Sequence, residues 1–273
     1  MEKNIAVITL HGMGDTNPNY FKEIEIKLRK YVGKTIWDTE VHMESVFYQD
    51  LLQGNQEDYW NEIDDEYSLR WDFLRKFMLF SFSDAASIEH SLRNDKVLYL
   101  AVHKKISDAF DNSLKALGGI KKPVIIIAHS LGGEQISNYI WDARENKRFF
   151  YNDTGSQDEK DFRRLATCNS LVTTGCNIPI FRVGLNEAKL FSRPNTSFNW
   201  NNYFDADDVL GYPIKNMSEA FNVDWIRDKK VSVGNFFTGW NPVSHGSYWT
   251  DKDVVKPIAK EISRLLKDRR ERS

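Results

Sequence analysis

Cysteine and long apolar runs are scarce in this 273-residue chain. The spacing of its two cysteines, Cys168 and Cys176, fits neither a zinc site nor a disulfide framework, so we expect two reduced, buried thiols. No stretch reaches the roughly 18 to 20 apolar residues needed to cross a bilayer, which excludes a transmembrane helix. An apolar strand already begins at Ile5 and leaves no room for a cleavable leader, so we expect a cytoplasmic protein.

The chain also lacks an excess of charge of either sign. The net charge is −2 and acidic and basic residues are interspersed, which argues against nucleic acid or an anionic membrane as a partner. With 41% hydrophobic residues the chain can bury a full core, and we predict a single domain over residues 1–273.

The most informative segment is Val124 to Gly133, which reads Val-Ile-Ile-Ile-Ala-His-Ser-Leu-Gly-Gly. An apolar run of strand type meets Ser130 and then opens into a helical pattern. Ala128 and Gly132 flank the serine with the small residues that a G-x-S-x-G nucleophile elbow requires, although Ala128 replaces the first glycine. We predict Ser130 as a nucleophile; the alternative is a serine that caps the following helix.

A serine nucleophile needs a histidine, and the chain order that goes with an elbow places it downstream. His245 is the only histidine beyond the elbow, between the loop-forming residues Pro242 and Gly246. We predict His245 as the general base. The remaining histidines lie at or before the elbow: His11, His42, His90, His103 and His129.

The acid of such a site should lie between the serine and the histidine, and three aspartates compete in one segment. We predict Asp208, because the Val-Leu-Gly that follows it indicates a turn that directs one carboxylate inward. Asp205 is the alternative acid, and we expect Asp205 and Asp207 to be solvated. A turn rich in Asp and Asn would also occur without catalysis.

An apolar strand from Ile5 to Leu10 leads into His11-Gly12-Met13-Gly14. A glycine-flanked turn after a strand exposes backbone N–H groups, and acyl transfer needs two such donors for the oxyanion. We predict that these donors are the N–H groups of Met13 and Leu131. His11, Gly12 and Gly132 support them.

With these motifs in place, the chain resembles the α/β-hydrolase superfamily, most closely its lipase and carboxylesterase branch. His11 to Met13 is similar to a lipase oxyanion loop, Ala128 to Gly133 to a lipase elbow, and the stretches from Asp208 and His245 to the acid and histidine loops. The resemblance implies an ester-hydrolysing enzyme and leaves the substrate open. The first strand corresponds to the one that the family counts third, so we expect a shorter sheet.

The fold class predicted is α/β, with a mostly parallel sheet of about six strands and helices on both faces. A helical cap or lid is predicted at about residues 51–100, where Phe77 to Phe82 could contact lipid or pack on the sheet. The segment from Asn146 to Asp161 is predicted to be a loop. The other predicted strands are 41–48, 198–203, 231–233 and one within 171–179 that ends in a turn. The other predicted helices are 20–32, 132–144 and 254–266.

Among the alternative functions, dinucleotide binding is rejected and three others are kept. Gly12-Met13-Gly14 imitates a dinucleotide fingerprint, but Asn17 and Pro18 stand where its third glycine and helix should be. We therefore expect a small-molecule ester or acyl substrate, with no metal or organic cofactor required. An acyltransferase or thioesterase on the same fold, or a non-catalytic interaction module, remains the alternative. The oligomeric state stays open.

Overall fold

The computed structural model describes residues 2–12, 16–52, 54–67, 72–94, 96–185, 188–233 and 245–271. Six strands form one sheet in the order β2-β1-β3-β4-β5-β6, and every neighbouring pair is parallel. The strands are β1 (Ile5–Leu10), β2 (Val41–Val46), β3 (Val124–His129), β4 (Cys168–Thr174), β5 (Asn199–Asp205) and β6 (Ile226–Val231). The α-helices of the described residues are α1 (Lys22–Val32), α2 (Lys34–Glu40), α3 (Gly54–Tyr67), α4 (Asp72–Arg93), α5 (Val97–Leu117), α6 (Leu131–Glu145), α7 (Gln157–Arg163), α8 (Ile178–Arg182) and α9 (Lys252–Arg270).

The central strands are buried on both faces because helices cover both sides of the sheet. In β1, Ile5 and Val7 pack with α1 and α9, whereas Ala6 and Ile8 pack with α5 and α6 on the other side. All six residues of β1 are buried, which is why the strand is continuously apolar and does not alternate. The predicted α/β class, with its six-stranded parallel sheet, is confirmed.

Besides α8, which begins at Ile178 inside the segment predicted at 171–179, three elements differ from the sequence prediction. Gly33, at φ 103°, ends α1 and is followed by the unpredicted helix α2. The predicted loop from 146 to 161 is wrong, because it contains a 3₁₀ turn at Arg148–Asn152 and the start of α7. Ser156 and Glu159 form a capping box there, a signal that the sequence contained.

The third difference is the last strand, which was predicted at 231–233 and lies at Ile226–Val231. Its sequence, Ile-Arg-Asp-Lys-Lys-Val, contains four charged residues in a row. β6 is at the edge of the sheet, where the exposed charges of Arg227 and Lys230 protect the strand from pairing with another chain. An apolar pattern therefore does not locate this strand.

The segment predicted as a cap consists of α3, α4 and the beginning of α5. Phe80 and Ile88 of α4 are buried, and Asp84 accepts hydrogen bonds from the amides of Gln49 and Gln56 at 3.3 and 2.7 Å. These contacts attach α4 to its neighbours, and a lid function for it stays a prediction. Among the helices described, none is both long enough and apolar enough to span a bilayer.

The first turn of α6 packs directly against the end of β1. A Cβ atom on Gly132 would lie 2.5 Å from the carbonyl oxygen of His11 and 2.9 Å from that of Leu10. Backbone atoms cannot move aside as a flexible side chain does. Glycine at position 132 is therefore required by the approach of two main chains.

We expect Gly132→Ala to lower the free energy of unfolding by about 1 to 3 kcal/mol, because the added methyl group overpacks this contact. Gly184→Ala is the control, since a Cβ at that position meets no atom of the described residues within 4 Å. Urea unfolding of both variants measures the difference. Equal stability of the two variants would contradict the packing argument.

Candidate active site

Ser130 lies at the carboxyl end of β3, in a turn that leads into α6 within one residue. Its backbone has φ 51° and ψ −123°, a region that non-glycine residues rarely adopt. The turn is fixed by a 2.9 Å hydrogen bond from the Ser130 N–H to the carbonyl oxygen of Thr174 on β4. The side chain makes no capping hydrogen bond to α6. The alternative role of a helix cap is therefore excluded, and the hydroxyl group is left for other contacts.

Asp208 and His245 lie together at the same end of the sheet as Ser130, where the carboxyl ends of the strands are. Asp208 follows β5, and its Oδ2 lies 2.8 Å from Nδ1 of His245. The Tyr248 hydroxyl donates to Oδ2 at 2.8 Å, and the Leu210 N–H donates to Oδ1 at 3.0 Å. Burial acts to raise the pKa of Asp208, but these hydrogen bonds outweigh it, so the pKa is lowered.

The state of the histidine follows from the carboxylate. Because Asp208 is ionised it accepts the hydrogen bond, so the proton in this bond is on Nδ1 of His245; in the neutral form of the ring the lone pair is then on Nε2. His245 is 5% exposed, and Nε2 has no hydrogen-bond partner within the described part of the chain. A buried imidazole nitrogen that is oriented and unpartnered is suited to accept a proton.

The histidine lies against the turn that contains the serine. A Cβ on Gly175 would lie 2.8 Å from Cε1 of His245, and Gly175 directly follows Thr174, which accepts the Ser130 N–H. The ring of His129, the residue before Ser130, lies 4.6 Å from the His245 ring. Asp208 and His245 are therefore in contact with each other and lie next to the turn that contains Ser130, at the carboxyl ends of β3, β4 and β5.

Ser130 Oγ makes its hydrogen bond with a residue that the sequence did not indicate. Nδ2 of Asn177 donates to Oγ at 3.4 Å, and a bond between Oγ and His245 Nε2 is not formed. Hydrogen bonds of catalytic groups are often long without substrate and shorten in its complex. In the described geometry, Ser130 therefore lies beside the oriented ring of His245 without a hydrogen bond to it.

The expectation that Asp205 is solvated was wrong. Asp205 is 4% exposed, and its carboxylate accepts the N–H groups of Val233 at 2.5 Å and Asp207 at 2.9 Å. Asp205 is the last residue of β5. Its bond to Val233 links the end of β5 to the segment that follows β6. Asp207 is exposed, as expected. Of the competing acids, Asp208 is the one that contacts the histidine.

The predicted oxyanion donors are only partly within the described residues. Met13 and Gly14 lie outside them. Leu131 is the first residue of α6, so its N–H has no acceptor inside the helix. A Cβ on Gly12 would lie 2.8 Å from the Cβ of Ser130, which places the described start of the predicted oxyanion loop beside the serine.

His11 supports this loop as a neutral side chain. Its Nδ1 donates to the carbonyl oxygen of Gly12 at 2.7 Å, and its Nε2 accepts the N–H of Tyr48 at 3.1 Å. Burial lowers the pKa of His11 to about 4, so the ring is uncharged at neutral pH. His11 therefore fixes the backbone before Met13 and adds no charge.

Several site residues were missed by sequence reasoning. The Tyr248 hydroxyl contacts Asp208 at 2.8 Å. Gly211, which the predicted turn already contained, leaves room for this carboxylate, since a Cβ there would lie 2.5 Å from Oδ2. Gly175, at φ 54°, leaves room for the His245 ring. Isolated Tyr and Gly residues in loops have no pattern, so only their partners across the fold reveal them.

Other kinds of site are not found among the described residues. No group of three or more potential metal ligands lies together there. A groove of about 620 Å³ is lined by Leu51, Ala86, Leu98 and their neighbours on α4 and α5. None of its lining residues belongs to the cluster around Ser130, so the groove is separate from that cluster.

Solved structures similar to this chain include two esterase-type enzymes and a hydrolase. An acetyl xylan esterase has 11% identity and a TM-score of 0.43, with 97% of this chain and 98% of that chain covered. Dienelactone hydrolase from Anabaena variabilis has 13% identity and a TM-score of 0.43, with 98% and 87% covered. A cutinase-like protein from Cryptococcus sp. has 11% identity and a TM-score of 0.42, with 96% and 95% covered.

No protein-family model matches the sequence, and no curated protein matches it. The parallel six-stranded α/β sheet is confirmed, with Ser130 after β3 and Asp208 after β5, and membership of the α/β-hydrolase superfamily stays a prediction from the sequence. At these identities and TM-scores the likenesses do not assign a reaction. The choice of reaction rests on the geometry around Ser130.

The burial of His129 has a consequence for stability. Burial lowers the pKa of His129 to about 3, whereas an unfolded histidine has a pKa near 6.5. Between about pH 6.5 and 3 the unfolded chain therefore binds a proton at this position and the folded chain does not. The free energy of unfolding must then decrease as the pH falls below about 6.5.

We expect His129→Asn to reduce this decrease by on the order of 1 kcal/mol between pH 7 and pH 5. The asparagine amide can still donate to the Thr174 carbonyl oxygen, which accepts Nδ1 of His129 at 2.9 Å. Urea unfolding of wild type and variant at the two pH values measures the effect. An identical decrease in both proteins would show that His129 takes up its proton in the folded state.

Proposed function

We propose that the protein is a serine hydrolase that cleaves carboxylic esters through Ser130, His245 and Asp208. The observation that supports it most is a strained, buried serine in the turn next to a histidine whose Nδ1 is bound to an ionised aspartate and whose Nε2 has no partner among the described residues. If the contact between Asp208 and His245 were only structural, it would not require a strained serine beside it. If Ser130 only capped α6, it would not require a histidine held by a carboxylate nearby.

In the first step, Ser130 Oγ attacks the ester carbonyl carbon and His245 Nε2 accepts the hydroxyl proton. Asp208 keeps the imidazole in the required tautomer and stabilises the imidazolium. His245 then protonates the leaving alcohol as the ester C–O bond breaks, which leaves an acyl group on Ser130. Tyr248 and the Leu210 N–H hold Asp208 in place through both its oxygens.

In the second step, water attacks the acyl-enzyme with His245 as base, and Ser130 leaves with the proton that His245 returns. The N–H groups of Leu131 and Met13 stabilise the oxyanion in both steps. Loss of one such donor costs about 3 to 4 kcal/mol of transition-state stabilisation in comparable enzymes. The place of Leu131 at the start of α6, where its N–H has no acceptor in the helix, supports this role, and Met13 stays a prediction from the sequence.

A p-nitrophenyl ester series from acetate to palmitate tests the proposed reaction. We expect hydrolysis by the wild type and none above background by Ser130→Ala, because the variant lacks the nucleophile. Ser130→Ala should keep the circular dichroism spectrum and the melting temperature of a folded protein. Equal hydrolysis by wild type and variant, or by neither, would refute the reaction class.

The same assay distinguishes the two candidate acids. We expect Asp208→Asn to lower kcat by about 10⁴-fold, because asparagine stabilises the wrong histidine tautomer. Asp205→Asn is the matched control: it makes the same change at a buried aspartate that contacts backbone N–H groups and not His245. A larger loss of kcat in Asp205→Asn, with stability unchanged, would make Asp205 the acid.

A further inference from the structure

Asn177 has an unexpected position in the site. It follows the turn after β4, is 0% exposed, and its Nδ2 is 3.4 Å from Ser130 Oγ. The amide nitrogen can only donate, so Oγ is the acceptor. The hydroxyl hydrogen of Ser130 is therefore not used in this contact and remains available to His245.

Local structure does not account for the Asn177 side chain. Asn177 occupies the N-cap position of α8, where asparagine ordinarily caps the helix, but it makes no capping hydrogen bond. Pro179 has no N–H to offer, and the N–H of Ile180 is bonded to the backbone oxygen of Asn177 at 2.9 Å. Oδ1 of Asn177 is buried, with no partner among the described residues.

The backbone around Asn177 is fixed from both sides. The N–H of Gly175 donates to the carbonyl oxygen of Tyr203 on β5 at 3.0 Å. The carbonyl oxygen of Cys176 accepts the N–H of Tyr212, in the loop after Asp208, at 2.9 Å. The Asn177 amide is thus placed by main-chain bonds that also position the acid loop, so its approach to Ser130 needs no rearrangement.

We propose that Asn177 is a catalytic residue that stabilises negative charge on Ser130 Oγ. This inference rests on the proposed function. During acylation the Oγ–H bond breaks, its proton goes to His245 Nε2 and the Oγ–carbon bond forms, while the Asn177 N–H donates to Oγ throughout. During deacylation the Oγ–carbon bond breaks and Oγ develops charge again. Asn177 transfers no proton in either direction.

The test is the second-order rate of Ser130 labelling by a fluorophosphonate. In this reaction the Oγ–phosphorus bond forms and fluoride leaves, so the rate reports the nucleophilicity of Oγ without an alcohol leaving group or a deacylation step. We expect Asn177→Ala and Asn177→Asp to label at least about tenfold more slowly, because both lose the donated hydrogen bond. Asn177→Asp keeps the size of the side chain.

Asn201→Ala is the control, because Asn201 is also buried, lies within β5 and takes no part in the proposed reaction. It should label at the wild-type rate, and thermal unfolding establishes that each variant is folded. If the wild type is labelled and both Asn177 variants match its rate within twofold, the role of Asn177 is refuted and the serine hydrolase remains. If the wild type is not labelled at Ser130, the proposed function itself fails, and this inference fails with it.

Discussion

The turn at Ser130 is the constraint on which the rest of the site depends. The chain must pass from a buried strand into a helix within one residue, which forces a non-glycine residue to a positive φ. Such conformations cost about 1 to 3 kcal/mol and persist only where the surrounding structure imposes them. Here Thr174 binds the N–H of Ser130, and two glycines, Gly12 and Gly132, let the end of β1 approach the turn.

Burial gives the imidazoles around this turn different roles. The pKa of His11 is lowered to about 4 and that of His129 to about 3, so both rings are neutral and serve to bind backbone and neighbouring groups. His245 differs because an ionised carboxylate, Asp208, binds its Nδ1. Burial by itself leaves His11 and His129 neutral, in structural roles. The contact of the buried His245 ring with an ionised carboxylate supports its proposed role as a base.

The sequence predicted the parts of this arrangement that leave a local pattern. The run from Val124 to Gly133 predicted both the strand and the turn, and the chain order singled out His245. Asp208 was harder, because Asp205 is also buried and is distinguished only by its contacts with Val233 and Asp207. Asn177 had no local signal, since its partner is 47 positions away. The charged edge strand β6 was misplaced because its exposed side chains follow no apolar pattern.

The central claim is that an acyl group passes through Ser130. Its most direct test is peptide mass spectrometry of wild-type protein quenched in acid during turnover of p-nitrophenyl butyrate. We predict a butyryl adduct on the peptide that contains Ser130, at an occupancy that declines when the substrate is exhausted. Turnover without an adduct on that peptide, or with the adduct on another residue, would contradict the mechanism.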